Sequence, residues 1–289
     1  MPYTVLAGAR AGPRVVVTAG VHGDEYEGVR AVAELTRALD PAAVHGTVVL
    51  VPVVNPPAFH ASLRVNPLDG VNLNRVFPGN PHGTLSERLA AVVFQRLIAG
   101  ADALIDLHSG GTRYLFHPQA GFYRLPEAGD VSDRSLAMAR AFGMELVWEI
   151  THRPGVLSYE AMRAGIAAIG AEIGGNGRCE PEHVTLAQRG VRNVLAVLGV
   201  LAEAPEAPPP QRIWRGDFTI APASGLFRAD VALNQEVRAG DRLYTLLDLT
   251  GAVCYEHHAA HAGLVSAMRA FAAIQEGEWD IAVLVPVTD

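Results

Sequence analysis

The chain contains no lysine, so all 23 of its basic residues are arginines. A chain without lysine cannot form a lysine Schiff base, lacks the lysine of a phosphate-binding P-loop and cannot carry a lysine-attached cofactor. Its only cysteines are Cys179 and Cys254. Two cysteines are too few for a disulfide framework or a cysteine metal cluster. The sequence also has no uninterrupted apolar run that approaches the length of a membrane span.

Positive charge is scarce as well. The net charge is −7 at pH 7 and no basic block stands out, which argues against nucleic acid and anionic membranes as partners. The opening residues, Met1 to Thr4, lack the basic and apolar regions of a signal peptide. With 49% hydrophobic residues in 289, we expect a globular, cytoplasmic protein. Whether it forms a homo-oligomer is left open.

Strand and helix patterns alternate over the first 202 residues. Residues 14–18 predict a buried strand and residues 24–39 an amphipathic helix. The later segments follow the same pattern, with strands expected at 2–9, 47–54, 103–107, 114–117, 145–150 and 166–173, and helices at 84–99, 132–142, 158–164 and 182–202. The last helix is expected to be interrupted at Gly190 and Gly199. This alternation predicts a three-layer α/β domain with a mostly parallel, mixed sheet.

The composition changes after residue 204. Residues 205–211 contain four prolines and predict a semi-rigid linker. Beyond it, short strand patterns are separated by turn signals. We therefore expect residues 1–204 to form the α/β domain and residues 212–289 a small all-β domain.

His22 and Glu25 lie three residues apart in the turn that follows the first buried strand. This edge of an open α/β sheet is where ligands bind. An imidazole and a carboxylate at this spacing can bind one face of a zinc ion, which then needs a further protein ligand and a position for water. His108 ends another predicted strand and Asp106, two residues earlier, could fix its tautomer. The three residues together predict a zinc site.

Glu172 ends a third apolar strand, where a carboxylate is costly unless it has a partner. Beside a zinc site it would be the general base. Residues 55–81 form a long loop without clear periodicity, and loops of that length are usually functional. Within it, Asn74 offers an amide, and Arg64 and Arg75 offer guanidinium groups suited to a carboxylate or an oxyanion.

These motifs resemble those of the succinylglutamate desuccinylase/aspartoacylase family, which has a zinc carboxypeptidase-like fold. The resemblance covers residues 14–202 and rests on four motifs in the same order, namely His22-Gly23-Asp24-Glu25, Asn74-Arg75, Asp106-Leu107-His108-Ser109 and Glu172. It implies one Zn²⁺ per chain.

The resemblance also implies a role for each site residue. The implied zinc ligands are His22, Glu25 and His108, and Glu172 is the implied catalytic acid/base. Asn74 and Arg75 would hold a substrate carboxylate or an equivalent polar group, and Arg64 would stabilise an oxyanion.

Residues 221–227 and 237–243 resemble a barrel-sandwich hybrid domain of the biotinyl/lipoyl type. Such domains carry a modified lysine, which this chain lacks, so the domain is expected to cap the site. This arrangement resembles the bacterial branch of the family that includes N-acetyl-diaminobutyrate deacetylases. His257, His258 and His261 are expected to lie at a solvated strand end or turn.

The sequence thus predicts a zinc-dependent deacylase that cleaves the amide bond of a small N-acylated amino acid or amine. One alternative is a metallocarboxypeptidase or cell-wall peptide amidase with a longer cleft. A second is a non-catalytic small-molecule binding protein of the same fold. The acyl group stays open, as does the choice among Tyr159, Tyr244 and Tyr255 as substrate contacts.

Overall fold

A computed structural model describes residues 1–287. Within them, the strands are β1 (Thr4–Ala7), β2 (Arg10–Ala19), β3 (His45–Val51), β4 (Ala103–His108), β5 (Tyr114–Tyr123), β6 (Leu146–Ile150), β7 (Ala167–Gly175), β8 (Arg212–Arg215), β9 (Phe218–Ile220), β10 (Gly225–Ala229), β11 (Glu236–Val237), β12 (Arg242–Leu247), β13 (Val253–His258), β14 (Gly263–Arg269), β15 (Ala273–Ile274) and β16 (Trp279–Pro286). The α-helices are α1 (Tyr26–Ala38), α2 (Pro56–Ala61), α3 (Leu85–Val93), α4 (Asp130–Ala141), α5 (Leu157–Arg163) and α6 (Pro181–Val197).

Three short 3-10 helices and one π-helical segment complete the helical elements of this part of the chain. They are the 3-10 helices Pro41–Ala43, Leu73–Arg75 and Pro126–Ala128 and the π-helical turn Phe94–Ile98, which extends α3. None of the helices in residues 1–287 combines the length and apolarity needed to cross a bilayer.

The main sheet is mixed. Its strands pair in the order β1-β3-β2-β4-β7-β5-β6-β8-β16-β14-β11. The centre, from β3 through β2 and β4 to β7, is parallel, whereas β1 and β5 run antiparallel to their neighbours β3 and β7. The predicted mixed α/β fold is therefore confirmed.

Successive side chains of a strand point to opposite sides of the sheet, so a continuous apolar run gives the sheet two apolar faces. Helices cover both of these faces. In β2, the side chains of Val15 and Val17 pack in the core beneath α1, α4 and α6. The side chain of Val16 packs in the opposite core with α3 and α5. The run of valines that predicted a buried strand thus supplies both cores.

Strands from beyond the predicted linker continue the main sheet. Strand β8 pairs in parallel with β6, and β16 and β14 follow it. Strand β14 also pairs with β5, and a second, four-stranded sheet has the order β13-β12-β10-β15. The short C-terminal strands expected from the turn signals are present. The division of the chain into domains at residues 205–211 stays a prediction.

The long loop of residues 55–81 contains two short helices that were not predicted, α2 and the 3-10 helix Leu73–Arg75. The side chain of Asn55 caps α2 by accepting a hydrogen bond from the N–H of Ala58. The expected interruption of the last helix at Gly190 was wrong, since α6 continues through this residue. A Cβ at Gly190 would meet the ring of Phe142 at 2.2 Å, so this glycine allows close packing and does not end the helix.

Candidate metal centre and active site

Three parallel strands place the candidate residues at one edge of the sheet. His22 and Glu25 follow β2, and His108 is the last residue of β4. Glu172 lies on β7, directly opposite His108 in the register of the two strands. Because the carboxyl ends of parallel strands meet at the same edge, residues far apart in sequence converge on one cleft.

The structure brings His22, Glu25 and His108 together as a buried donor set. The Nδ1 atom of His22 lies 2.7 Å from Oε1 of Glu25, and Nδ1 of His108 lies 2.7 Å from Oε2 of the same carboxylate. One potential ligand atom from each residue lies within 4.8 Å of the other two. Two imidazole nitrogens and a carboxylate oxygen are the donors of a catalytic zinc site that keeps a position for water. The residues therefore fit a zinc ion.

The other ring nitrogens are already engaged. The Nε2 atom of His108 lies 2.9 Å from Oδ2 of Asp106, and Oδ1 of Asp106 accepts a hydrogen bond from Thr18 at 2.7 Å. The Nε2 atom of His22 lies 3.1 Å from Oδ1 of Asn72. Such contacts fix the tautomer and leave both Nδ1 atoms for a metal. The contact expected for Asp106 is confirmed, whereas the contact of Asn72 with His22 was not expected.

Burial and neighbouring charges set the ionisation of the donors. Burial lowers the pKa of His22, and the charge of Arg64 lowers it further, which favours the neutral imidazole that binds metals. Although burial acts in the opposite direction, the imidazoles of His22 and His108 hold the pKa of Glu25 well below its ordinary value. Glu25 is therefore an anionic donor.

Glu172 borders the cleft as an incompletely satisfied carboxyl group. Its Oε2 is shielded from solvent and has no hydrogen-bond partner within residues 1–287. Burial raises the pKa of Glu172 to about 8, with the charge of Glu25 acting in the same direction and that of His108 opposing it. A carboxyl group with a pKa near neutrality can both accept and donate a proton.

Two arginines and an asparagine from the long loop also line the cleft. Arg64 donates to Oε1 of Glu25 at 2.9 Å. The guanidinium of Arg75 donates to the carbonyl oxygen of Asn74 at 2.6 Å, and no salt bridge joins it to an acid in the described chain. The Oδ1 atom of Asn74 accepts from the N–H of Leu157 at 2.8 Å, which ties the loop to α5. Of the two guanidinium groups, that of Arg75 is therefore the one without a carboxylate partner among residues 1–287.

Aromatic residues form much of the remaining wall. They are Tyr114, Phe116, Tyr123, Trp148, Phe218 and Trp279, and Arg153 lies among them. Phe218 and Trp279 belong to the C-terminal strands β9 and β16. Sequence reasoning identified none of these residues, because single aromatic residues outside a motif give no local signal.

The tyrosines that the sequence singled out lie elsewhere. Tyr159 and Tyr244 are buried, and the hydroxyl of Tyr244 donates to Oδ2 of Asp280 at 2.6 Å. Tyr255 lies near His257 in the C-terminal strands, with its hydroxyl 3.1 Å from Nδ1. Tyr114 and Tyr123 are instead the tyrosines of the described chain that line the cleft.

Asp24, within the first motif, contacts a residue that is distant in sequence. Its Oδ2 accepts hydrogen bonds from both the N–H and the hydroxyl of Thr112, each at 2.9 Å. The position that precedes α1 is occupied by Glu25, and no side chain caps the helix there. Asp24 therefore does not cap α1 but ties the turn after β2 to the loop after β4.

Comparison with known proteins agrees with this geometry. The succinylglutamate desuccinylase/aspartoacylase catalytic domain matches residues 11–198. The N-α-acetyl-L-2,4-diaminobutyric acid deacetylase of Halomonas elongata is 32% identical over 299 aligned residues, which cover 100% of this chain and 86% of that protein.

Two solved structures share the fold closely. The product-bound ectoine utilization protein EutE (DoeB) of Ruegeria pomeroyi has a TM-score of 0.92 at 32% identity, covering 98% of this chain and 88% of its own. A succinylglutamate desuccinylase/aspartoacylase of Rhodobacter sphaeroides also has a TM-score of 0.92 at 32% identity, covering 100% and 89%. This chain therefore belongs to the succinylglutamate desuccinylase/aspartoacylase family.

Proposed function

We propose that this protein is a zinc-dependent deacylase that hydrolyses the amide bond of a small N-acylated amino acid or amine. The observation that carries the proposal is the convergence of the His22–Glu25–His108 donor set and the carboxyl group of Glu172 on one cleft. The relative from Halomonas elongata is named as a deacetylase of an N-acetylated amino acid, which supports the same reaction class.

His22, Glu25 and His108 would hold the ion. When bound, zinc polarises a carbonyl oxygen and makes a neighbouring water molecule more acidic. Glu172 takes the proton from the attacking water and later delivers it to the leaving amine. Its position on β7, opposite His108 and beside the donor set, supports this role.

The arginines act on the charged parts of the substrate. Arg64 stabilises the oxyanion that develops on the scissile carbonyl, a role supported by its contact with Glu25 and its position in the cleft wall. Arg75, which has no acidic partner in the described chain, anchors a substrate carboxylate. Asn74 contributes by fixing the loop that carries Arg75, because its side chain bonds to the start of α5.

A substrate panel tests this function. The zinc-loaded protein is assayed for amine release from N-acetyl and N-succinyl amino acids, from N-acetylated amines and from unblocked peptides. We expect turnover of one or more small N-acyl compounds and little cleavage of peptides. Preferential peptide cleavage would instead indicate a carboxypeptidase or peptide amidase. Binding without turnover of any compound would indicate a non-catalytic binding protein.

A further inference from the structure

Three arginines of the cleft surround a single tryptophan. The guanidinium carbons of Arg64, Arg75 and Arg153 lie 5.8, 5.6 and 5.5 Å from the centroid of the Trp279 ring. Arg64 and Arg153 come from loops after α2 and β6, and Arg75 ends a 3-10 helix. Trp279 begins the C-terminal strand β16. One ring thus joins three separate segments of the catalytic face to the C-terminal strands.

Three guanidinium groups so close together repel one another, and two of them are paired with carboxylates. Arg64 bonds to Glu25, and Arg153 forms an ion pair with Asp217. Arg75 forms no salt bridge within residues 1–287 and donates instead to the carbonyl oxygen of Asn74. Burial lowers the pKa of Arg75, and the charges of Arg64 and Arg153 lower it further. The negative face of an indole ring attracts cations at these distances, and this attraction offsets part of the repulsion among the three guanidinium groups.

The ring itself is held in place by other aromatic residues. Phe218 stacks on Trp279 with a centroid separation of 5.0 Å and an interplanar angle of 7°. Tyr114 packs against the same ring at 6.1 Å. The following residue, Asp280, is fully buried and accepts hydrogen bonds from Thr219 and Tyr244. Trp279 is therefore a fixed platform and not a mobile surface side chain.

We propose that Trp279 is a positioning residue that holds the guanidinium of Arg75 in the cleft, where it binds the carboxylate of the substrate. This inference rests on the proposed function, because it assigns the carboxylate contact to Arg75. It predicts that the C-terminal strands set substrate affinity through Trp279 and act mainly on substrates that carry a carboxylate.

The kinetic test compares an N-acetyl amino acid with the N-acetylated amine that lacks its carboxylate. In W279L, KM for the first substrate should rise about tenfold, the equivalent of about 1.4 kcal/mol, and kcat should fall less than KM rises. KM for the second substrate should change little. W279F, which keeps an aromatic face, should retain most of the affinity. Adding W279L to R75A should have no further effect on KM.

The matched control is Phe227→Leu, which removes a buried aromatic ring from the core of the C-terminal strands, away from the cleft. If F227L raises KM as much as W279L does, the effect is structural and the proposal fails. The proposal also fails if W279L raises KM equally for both substrates, or if the effects of W279L and R75A on KM are additive.

A second readout does not depend on turnover. In an NMR spectrum of the arginine side chains, the Hε resonance of Arg75 should show a ring-current shift that disappears in W279L and persists in F227L. If the wild-type protein hydrolyses none of the substrates but shows this shift, the proposed function fails while the positioning of Arg75 stands. An Arg75 resonance that is unchanged in W279L would overturn the positioning.

Discussion

The two imidazoles of the donor set are oriented by residues that would not touch the metal. Asp106 holds Nε2 of His108 and is itself held by Thr18, whereas Asn72 holds Nε2 of His22. Because both Nε2 atoms are engaged, both Nδ1 atoms face Glu25. The orientation of the two imidazoles therefore depends on the oxygen atoms of Asp106 and Asn72 as well as on the rings themselves.

Removing the acceptor behind His108 should weaken zinc binding without removing a ligand. In D106A we expect zinc affinity to fall about 10- to 100-fold, because the ring loses the contact that fixes its tautomer and orientation. Competition with a chromogenic chelator measures this change. The control is D102N. Asp102 lies just before the same strand, and its exposed carboxylate accepts a hydrogen bond from the N–H of Arg14. Equal affinity in D106A and wild type would contradict the orienting role.

Replacing the proposed proton carrier should separate metal binding from turnover. Glu172→Gln keeps the size of the side chain and removes its ability to exchange a proton, so turnover should fall by about 10²- to 10⁴-fold. Zinc content should stay at one ion per chain, since Glu172 is outside the donor set. Glu182→Gln, at an exposed position on α6, serves as the control. Near-normal turnover by E172Q would reject the assignment of Glu172.

Among the elements, the strands and long helices could be predicted because their apolar spacing is regular. Helix α3, for example, begins at the expected position, and Thr84 and Glu87 form a capping box at its start. Helix α2 was missed because six residues are too few to show a helical period. Gly190 was misjudged because its function depends on Phe142, a distant residue in sequence, and local pattern contains no information on that contact.

A methyl group at position 190 should destabilise the contact between α6 and the end of α4. In G190A the added Cβ would overlap the Phe142 ring, and overpacking of this kind costs about 1–3 kcal/mol. A lowered Tm in thermal unfolding measures the effect. The double variant G190A/F142L should be more stable than the sum of the two single changes predicts. An unchanged Tm in G190A would show that Phe142 can move aside at no cost.

For the whole molecule, the candidate donors and Glu172 could be predicted from strand ends, and Arg64, Asn74 and Arg75 from the polar groups of the long loop. Parallel strands bring their carboxyl ends together, so His22, His108 and Glu172 could be placed on one edge before their distances were known. Asn72, Arg153 and Trp279 could not, because their positions depend on loop conformation and on long-range strand pairing. The pairing of β14 with β5 and of β16 with β8 is of this kind.

The C-terminal strands contribute residues to the wall of the cleft. The sequence predicted that these strands cap the site but did not identify the residues involved. Phe218 and Trp279 form part of its wall, and Asp217 pairs with Arg153 at its edge. The cleft therefore includes residues from both sides of the 205–211 segment. Substitutions in these strands should alter substrate affinity through their contacts with the arginines. They should leave metal binding intact, because His22, Glu25 and His108 all precede residue 205.

The most direct test of the account is the dependence of N-acyl amino acid hydrolysis on zinc. Protein stripped with a chelator and then titrated with zinc is assayed for amine release at each zinc-to-protein ratio. The account predicts that stripping abolishes turnover and that activity returns in proportion to zinc, with saturation at one equivalent per chain. Full turnover by the stripped protein, or no recovery at one equivalent, would contradict it.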